Sequence, residues 1–219
     1  NLGRATAGLL TEIVDADDVL GLAWARSLMA MRSALTRLAP CPVVQLTGAL
    51  SRPDVDESSI ELVRDVARTA NGPAFYFYAP MIVPDASTAQ VLRTQPEVAR
   101  AISKFPEVTT AVVGIGAWQR GLSTVAEAVA EDERRHMYDL GVRAELAGIQ
   151  LDADGTPIVT SLTERLIGIN EEQLRAVPNV IAIAYGTPKA DAVHAALRGG
   201  LVTSVVTHTA MAAELLDRA

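Results

Sequence analysis

The residues best suited to holding an anion stand where apolar runs stop at small residues. In VIAIAYGTPK, residues 180–189, the run ends at Gly186, and Lys189 follows Thr187-Pro188. Near the other end of the chain, GLAWARS carries Trp24, Arg26 and Ser27. Between them, VVQLTG closes on Thr47-Gly48 and AVVGIG on Gly114-Ile115-Gly116. Small residues let backbone amides approach a ligand. A helix start offers unpaired N–H groups and the positive end of its dipole, and Arg26 and Lys189 add charge. Such a set suits a phosphate or a carboxylate. Each place also has a plainer reading: Thr187-Pro188 is an ordinary N-cap with proline at the first helical position, and Gly114 and Gly116 permit close strand–helix packing.

Other motifs exclude more than they assign. The Gly114-x-Gly116 pair lacks the third glycine of a dinucleotide fingerprint, since position 119 is Gln. No phosphate loop of the G-x-x-x-x-G-K-[ST] type and no G-x-S-x-G elbow occurs. In QLDADG, Asp152, Asp154 and Gly155 fit the middle of a calcium loop, but Gln150 and Ser161 stand where its end carboxylates belong. The stretch reads as a β-turn whose two carboxylates suit sugar hydroxyls. His136, His194 and His208 are scattered and make no metal set; only His208 ends a strand at a helix start. Cys41, flanked by prolines and without a nearby base, reads as inert. There is no convincing acid–base or nucleophile constellation and no call for a cofactor, so binding suits the chain better than turnover.

Elements must bring these places together. The chain has 219 residues, enough for one large domain, with 49% apolar and only 4% aromatic residues. Apolar runs at 17–24, 43–48, 74–80, 109–118, 180–186 and 201–208 read as strands. Between them, helical spacing or caps mark 2–14, 25–38, 58–70, 87–93, 96–104, the box Thr124-x-x-Glu127, and the pairs Ser161/Glu164 and Asn170/Gln173, then 188–199 and the tail. Residues 49–57 read as a polar loop. Residues 141–159 alternate and turn at Asp154-Gly155, as a hairpin does. The strands are continuously apolar rather than alternating, which predicts burial on both faces. The expected fold is a doubly wound, mainly parallel, Rossmann-like α/β sheet with one small antiparallel excursion, and ligands outside its carboxyl edge.

A formal charge of −7 with no basic cluster argues against this segment gripping duplex DNA. No run approaches a transmembrane span and the first residues do not read as a signal peptide. A lone cysteine makes a reducing cytoplasm the default.

GLAWARS, VVQLTGAL, YAPMIV, VVGIGAW, LDADGTPI and the tail from IAYGTPKADAV to the last helix occur in an order that resembles the sugar-binding effector domain of SorC/DeoR-type bacterial transcriptional regulators. The resemblance runs almost from end to end. It implies a fold similar to glucosamine-phosphate deaminases and ribose-phosphate isomerases, a phosphorylated sugar bound without turnover, and assembly into dimers or tetramers. It also implies operator DNA held through a helix-turn-helix domain that precedes this one and is absent from residues 1–219. Carried over, the ligand contacts fall on Trp24, Arg26, Ser27, Thr47, Gly48, Gly114, Ile115, Gly116, Asp152, Asp154, Gly155, Gly186 and Lys189. Three departures alter the pocket's charge and room: His208 where relatives have Asp, Tyr185-Gly186 where they have Gly-Gly, and no Gly-Asp pair in GVRAELAG. The alternative is an isomerase or deaminase on the same scaffold, with Asp152, Asp154 or His208 as its base.

Overall fold

The computed structural model describes residues 2–50 and 58–218, so only Ala49 and Leu50 of the expected polar loop fall among them. In chain order the elements are α1 (Leu2–Ile13), β1 (Leu20–Leu22), α2 (Arg26–Ala34), β2 (Val43–Gln45), α3 (Ser59–Thr69), β3 (Ala74–Phe75), α4 (Ala86–Arg93), α5 (Pro96–Ile102) and β4 (Thr110–Ala117). There follow α6 (Thr124–Ala128), α7 (Glu131–Asp139), β5 (Ala144–Leu146), β6 (Ile149–Leu151), α8 (Ser161–Arg165), α9 (Glu171–Arg175), β7 (Asn179–Ile183), α10 (Ala190–Arg198), β8 (Ser204–Val206) and α11 (Thr209–Leu216). Short 3₁₀ turns occupy Phe105–Glu107 and Thr187–Lys189.

The parallel strands lie in the order β3-β2-β1-β4-β7-β8. From β1 the chain winds outward to β2 and β3; from β4 it winds the other way to β7 and β8. The loops leaving β1 and β4 therefore part, and a crevice opens at that switch point. The long strand β4 also serves a second ladder. Its last residues pair antiparallel with β5, Ile115 opposite Leu146 and Gly116 opposite Glu145, and β5 pairs with β6.

Alternation along the strands explains why they read as unbroken apolar runs. Ala111, Val113, Ile115 and Ala117 of β4 join Val180 and Ala182 of β7 in one cluster, roofed by Ala192, Val193, Ala195 and Ala196 of α10. Val112, Ile181 and Ile183 face the other way, into a cluster with Leu10 of α1, Leu28 and Met31 of α2, and Leu62 and Val66 of α3. Each such Leu, Ile or Val contributes about 1.5–3 kcal/mol by leaving water. Small alanines on α10 let that helix lie close to the sheet.

Four local expectations change. The strand expected at 74–80 is interrupted after Ala74–Phe75 and pairs again only as a bridge of Pro80 to Ala49, because the buried Gln45 side chain takes over the next bond: Phe77 N–H donates to Gln45 Oε1 at 3.2 Å. The cap of α6 is Ser123, whose Oγ accepts from Ala126 N–H at 3.0 Å, not Thr124. The cap of α8 is Thr160, paired with Thr163, rather than Ser161 with Glu164. The antiparallel excursion has two turns instead of one: Ala147-Gly148, both with positive φ, joins β5 to β6, and the expected turn at Asp154-Gly155 follows, with Leu151 bridged antiparallel to Pro157 across it.

Candidate functional site

β1 runs straight into α2 with Ala25 as N-cap, and no side chain caps that helix. Caps of Ser, Asp or Asn normally satisfy the first amides; here Leu28 N–H turns back to Ala25 O at 3.0 Å, and the helix start faces the carboxyl edge of the sheet. The first two helical residues are Arg26 and Ser27. A cavity of about 210 Å³ opens beside them, bounded by Trp24, Thr47, Gly48, Gly114 to Gly116, Gly186 and Lys189. All the expected contacts outside the Asp152–Gly155 turn thus meet at one place. Two of the glycines are steric requirements: a Cβ on Gly114 would lie 2.4 Å from Ala25 Cβ, and one on Gly116 would lie 2.3 Å from Glu145 Oε1.

Glu145 is the residue the sequence reading missed. It sits on β5, opposite Gly116, only 5% exposed, and lines the cavity. Ser123 Oγ donates to its Oε1 at 2.8 Å and Gly148 N–H to its Oε2 at 3.3 Å. It supplies the acid that GVRAELAG was read as lacking. A signal was present: one carboxylate between Ala144 and Leu146, in a stretch read as an alternating hairpin. Lys189 Nζ donates to Ile115 O at 3.0 Å and stands 5.8 Å from the Tyr185 ring centroid. Arg26 is paired across the cavity wall with Glu127, at 3.8 Å. Trp24 Nε1 is buried without a hydrogen-bond partner, and a buried N–H in that state calls for an acceptor.

The turn Asp152–Gly155 lies elsewhere. Asp152 Oδ1 accepts from Asp154 N–H and Thr156 N–H, each at 2.8 Å, and Asp154 pairs with Arg198 at 2.9 Å. Gly155 packs on the C-terminal end of α10, where a Cβ would lie 2.1 Å from Ala195 O. Lys189 is at the N-terminal end of the same nine-residue helix, about 13 Å away at 1.5 Å per residue. Tyr78, after β3, is 73% exposed and outside the cavity. His208 is the N-cap of α11: its Nε2 lies 2.9 Å from Gly186 N and its Nδ1 3.2 Å from Met211 N. A neutral imidazole has one bare nitrogen, so it accepts from one of these amides at a time.

Burial pushes the Glu145 carboxyl above its ordinary 4.5, against the hydrogen bonds from Ser123 and Gly148 and the Lys189 charge. Burial pushes Lys189 below its ordinary 10.5; Glu145 opposes that and Arg26 adds to it. The folded protein thus holds the Glu145 proton more tightly than the unfolded chain. Stability is unpenalised below pH 4.5 and falls as pH rises from there through the raised folded value. Glu145→Gln removes that loss. In urea melts the variant's stability relative to wild type should grow above pH 4.5 and then level off; a difference independent of pH would show an unshifted carboxyl.

Residues 1–217 match the family model described as "Putative sugar-binding domain". The chain belongs to this sugar-binding domain family. It is 30% identical over 220 residues to the transcriptional regulator YjhU of Escherichia coli, covering 98% of this chain and 66% of that protein. It is 32% identical over 142 residues to the transcriptional regulator LsrR of Klebsiella pneumoniae, covering 63% of this chain and 44% of that one. The chain thus spans less than two-thirds of these regulators. The fold matches the full-length sorbitol operon regulator SorC of Klebsiella pneumoniae with a TM-score of 0.90 at 19% identity, over 98% of this chain and 71% of that one. These relatives are named as regulators, not enzymes. Among the described residues no helix is long and apolar enough to cross a membrane, and no cluster of metal-ligating side chains occurs.

Proposed function

We propose that this domain is the effector sensor of a transcriptional regulator and that its effector is a small phosphorylated sugar. The observation that carries the reading is one cavity lined by two chemically different kinds of group. The uncapped N-terminus of α2, with Arg26 and Lys189, favours a phosphate. Glu145, held by Ser123 and Gly148, suits hydroxyls, and the unpartnered Trp24 N–H suits a sugar oxygen. At about 210 Å³ the cavity is below the roughly 300–1,000 Å³ of drug-sized sites, which suits a small metabolite. The names of the relatives support the regulatory setting.

The domain works in a dimer or tetramer whose operator contacts come from a separate helix-turn-helix domain, in a bacterial cytoplasm. The effector shifts the assembly between two arrangements by no more than its differential affinity for them. The isomerase or deaminase reading loses its bases: Asp152 and Asp154 sit at the far end of α10, and His208 caps α11 outside the cavity.

Calorimetry and thermal melts with a panel of pentose and hexose phosphates test the reading. Ligand at about a hundred times Kd adds roughly 2.7 kcal/mol, or about 5–10 °C in Tm for a chain of this size. No heat and no shift with any member at millimolar concentration would sink it.

A further inference from the structure

A second, more open cavity of about 640 Å³ adjoins the first, between the start of α1 and the N-termini of α2 and α11. The two share Arg26, Ser27 and Tyr185 as lining. Ser27 is too small to separate them, and the Arg26 guanidinium is drawn to Glu127 on the wall of the first cavity. Tyr185, the bulkiest side chain of the three, borders both spaces. Its placement is fixed from both sides. Thr207 Oγ1 donates to Ala184 O at 2.8 Å, Lys189 N–H donates to Gly186 O at 2.9 Å, and Gly186 N lies against His208 Nε2. Gly186 has a φ of 87°, a turn that only glycine makes without strain, so the chain leaves Tyr185 in a defined direction. Tyr185 as a whole is 47% exposed, with Lys189 Nζ 5.8 Å from its ring centroid.

We propose that Tyr185 is the specificity-determining residue of the site: it partitions one long cleft into two and limits the effector to the length of the inner cavity. The proposal rests on the reading of that cavity as a sugar-phosphate site. With the ring present, a monophosphate of a small sugar fits and a second phosphate at the far end of a hexose meets the phenol. With the ring removed, the far end enters the outer cavity beside the N-termini of α2 and α11, where the positive ends of the helix dipoles suit an anion.

Titrations of ribose-5-phosphate and glucose-1,6-bisphosphate into wild type, Tyr185→Ala and Tyr185→Phe test this. The preference for the monophosphate should fall by about tenfold or more in the alanine variant, and stay in the phenylalanine variant, which keeps the ring. An unchanged preference in Tyr185→Ala, with either sugar bound, overturns the partition and leaves the site reading standing. If neither sugar binds any of the three proteins, the panel of pentose and hexose phosphates decides the site reading, and acrylamide quenching of Trp24 decides the partition alone. Trp118 is 1% exposed and supplies a constant background. Increased quenching in Tyr185→Ala means that the ring closed the cavity; equal quenching means that it did not.

Discussion

Lys189→Met should raise the Kd of a bound sugar phosphate about ten- to hundredfold, because a hydrogen bond to a charged group contributes roughly 1.5–3 kcal/mol and 1.4 kcal/mol is a factor of ten. The substitution keeps the apolar stem that crosses the cavity wall and removes only the ammonium. In the empty protein the change in stability should be small. The half-buried charge loses its bond to Ile115 O, but its desolvation cost, which holds it below its ordinary 10.5, disappears as well. Binding and folding therefore separate: the isotherm collapses while the urea midpoint moves little. An unchanged Kd would mean that the anion sits away from the start of α10, and the proposed orientation of the ligand would fall.

Gly155→Ala should do the reverse. Its Cβ would lie 2.1 Å from Ala195 O and 2.5 Å from Gly199 N, both backbone atoms, at a φ of 85°. Backbone cannot retreat as a flexible side chain can. Overpacking costs about 1–3 kcal/mol and a left-handed non-glycine residue about 1–3 kcal/mol more, so a loss of about 2–6 kcal/mol is expected from denaturant melts. Folded variant should still bind sugar phosphate with near wild-type Kd, because the turn is a helix length away from Lys189. A large loss of affinity in a stably folded Gly155→Ala protein would return the Asp152–Gly155 turn to the site, where the family resemblance had placed it.

The pair of variants marks where the sequence could and could not be read. Runs such as AVV and VIAIA identified a buried parallel sheet, because residues that face two roofs must be apolar at every position. The breaks after them, at Arg26, Thr47, Gly114 and Gly186, identified the sheet's carboxyl edge, because strand ends in such a fold share one side. That much is local chemistry and topology rules. Glu145 was invisible by the same reasoning. It lies on an antiparallel strand that reaches the crevice only because β4 outruns its parallel neighbours, pairing with β5 through Ile115, Gly116 and Ala117. The Asp152–Gly155 turn lies outside the cavity for the complementary reason: its carboxylates look chemical in sequence, but its glycine packs on the end of α10.

What the chain alone determined was the alternation of strand and helix, the two-sided burial and the sugar-binding family, since all three depend on residue types at short range or in fixed order. What only the tertiary structure decided was which acid lies near Lys189, that the Asp152–Gly155 turn lies outside their cavity, and that Tyr185 borders two cavities. Those depend on the register of β4 against β5 and on the length of α10, distances between residues far apart in the chain that no local pattern encodes.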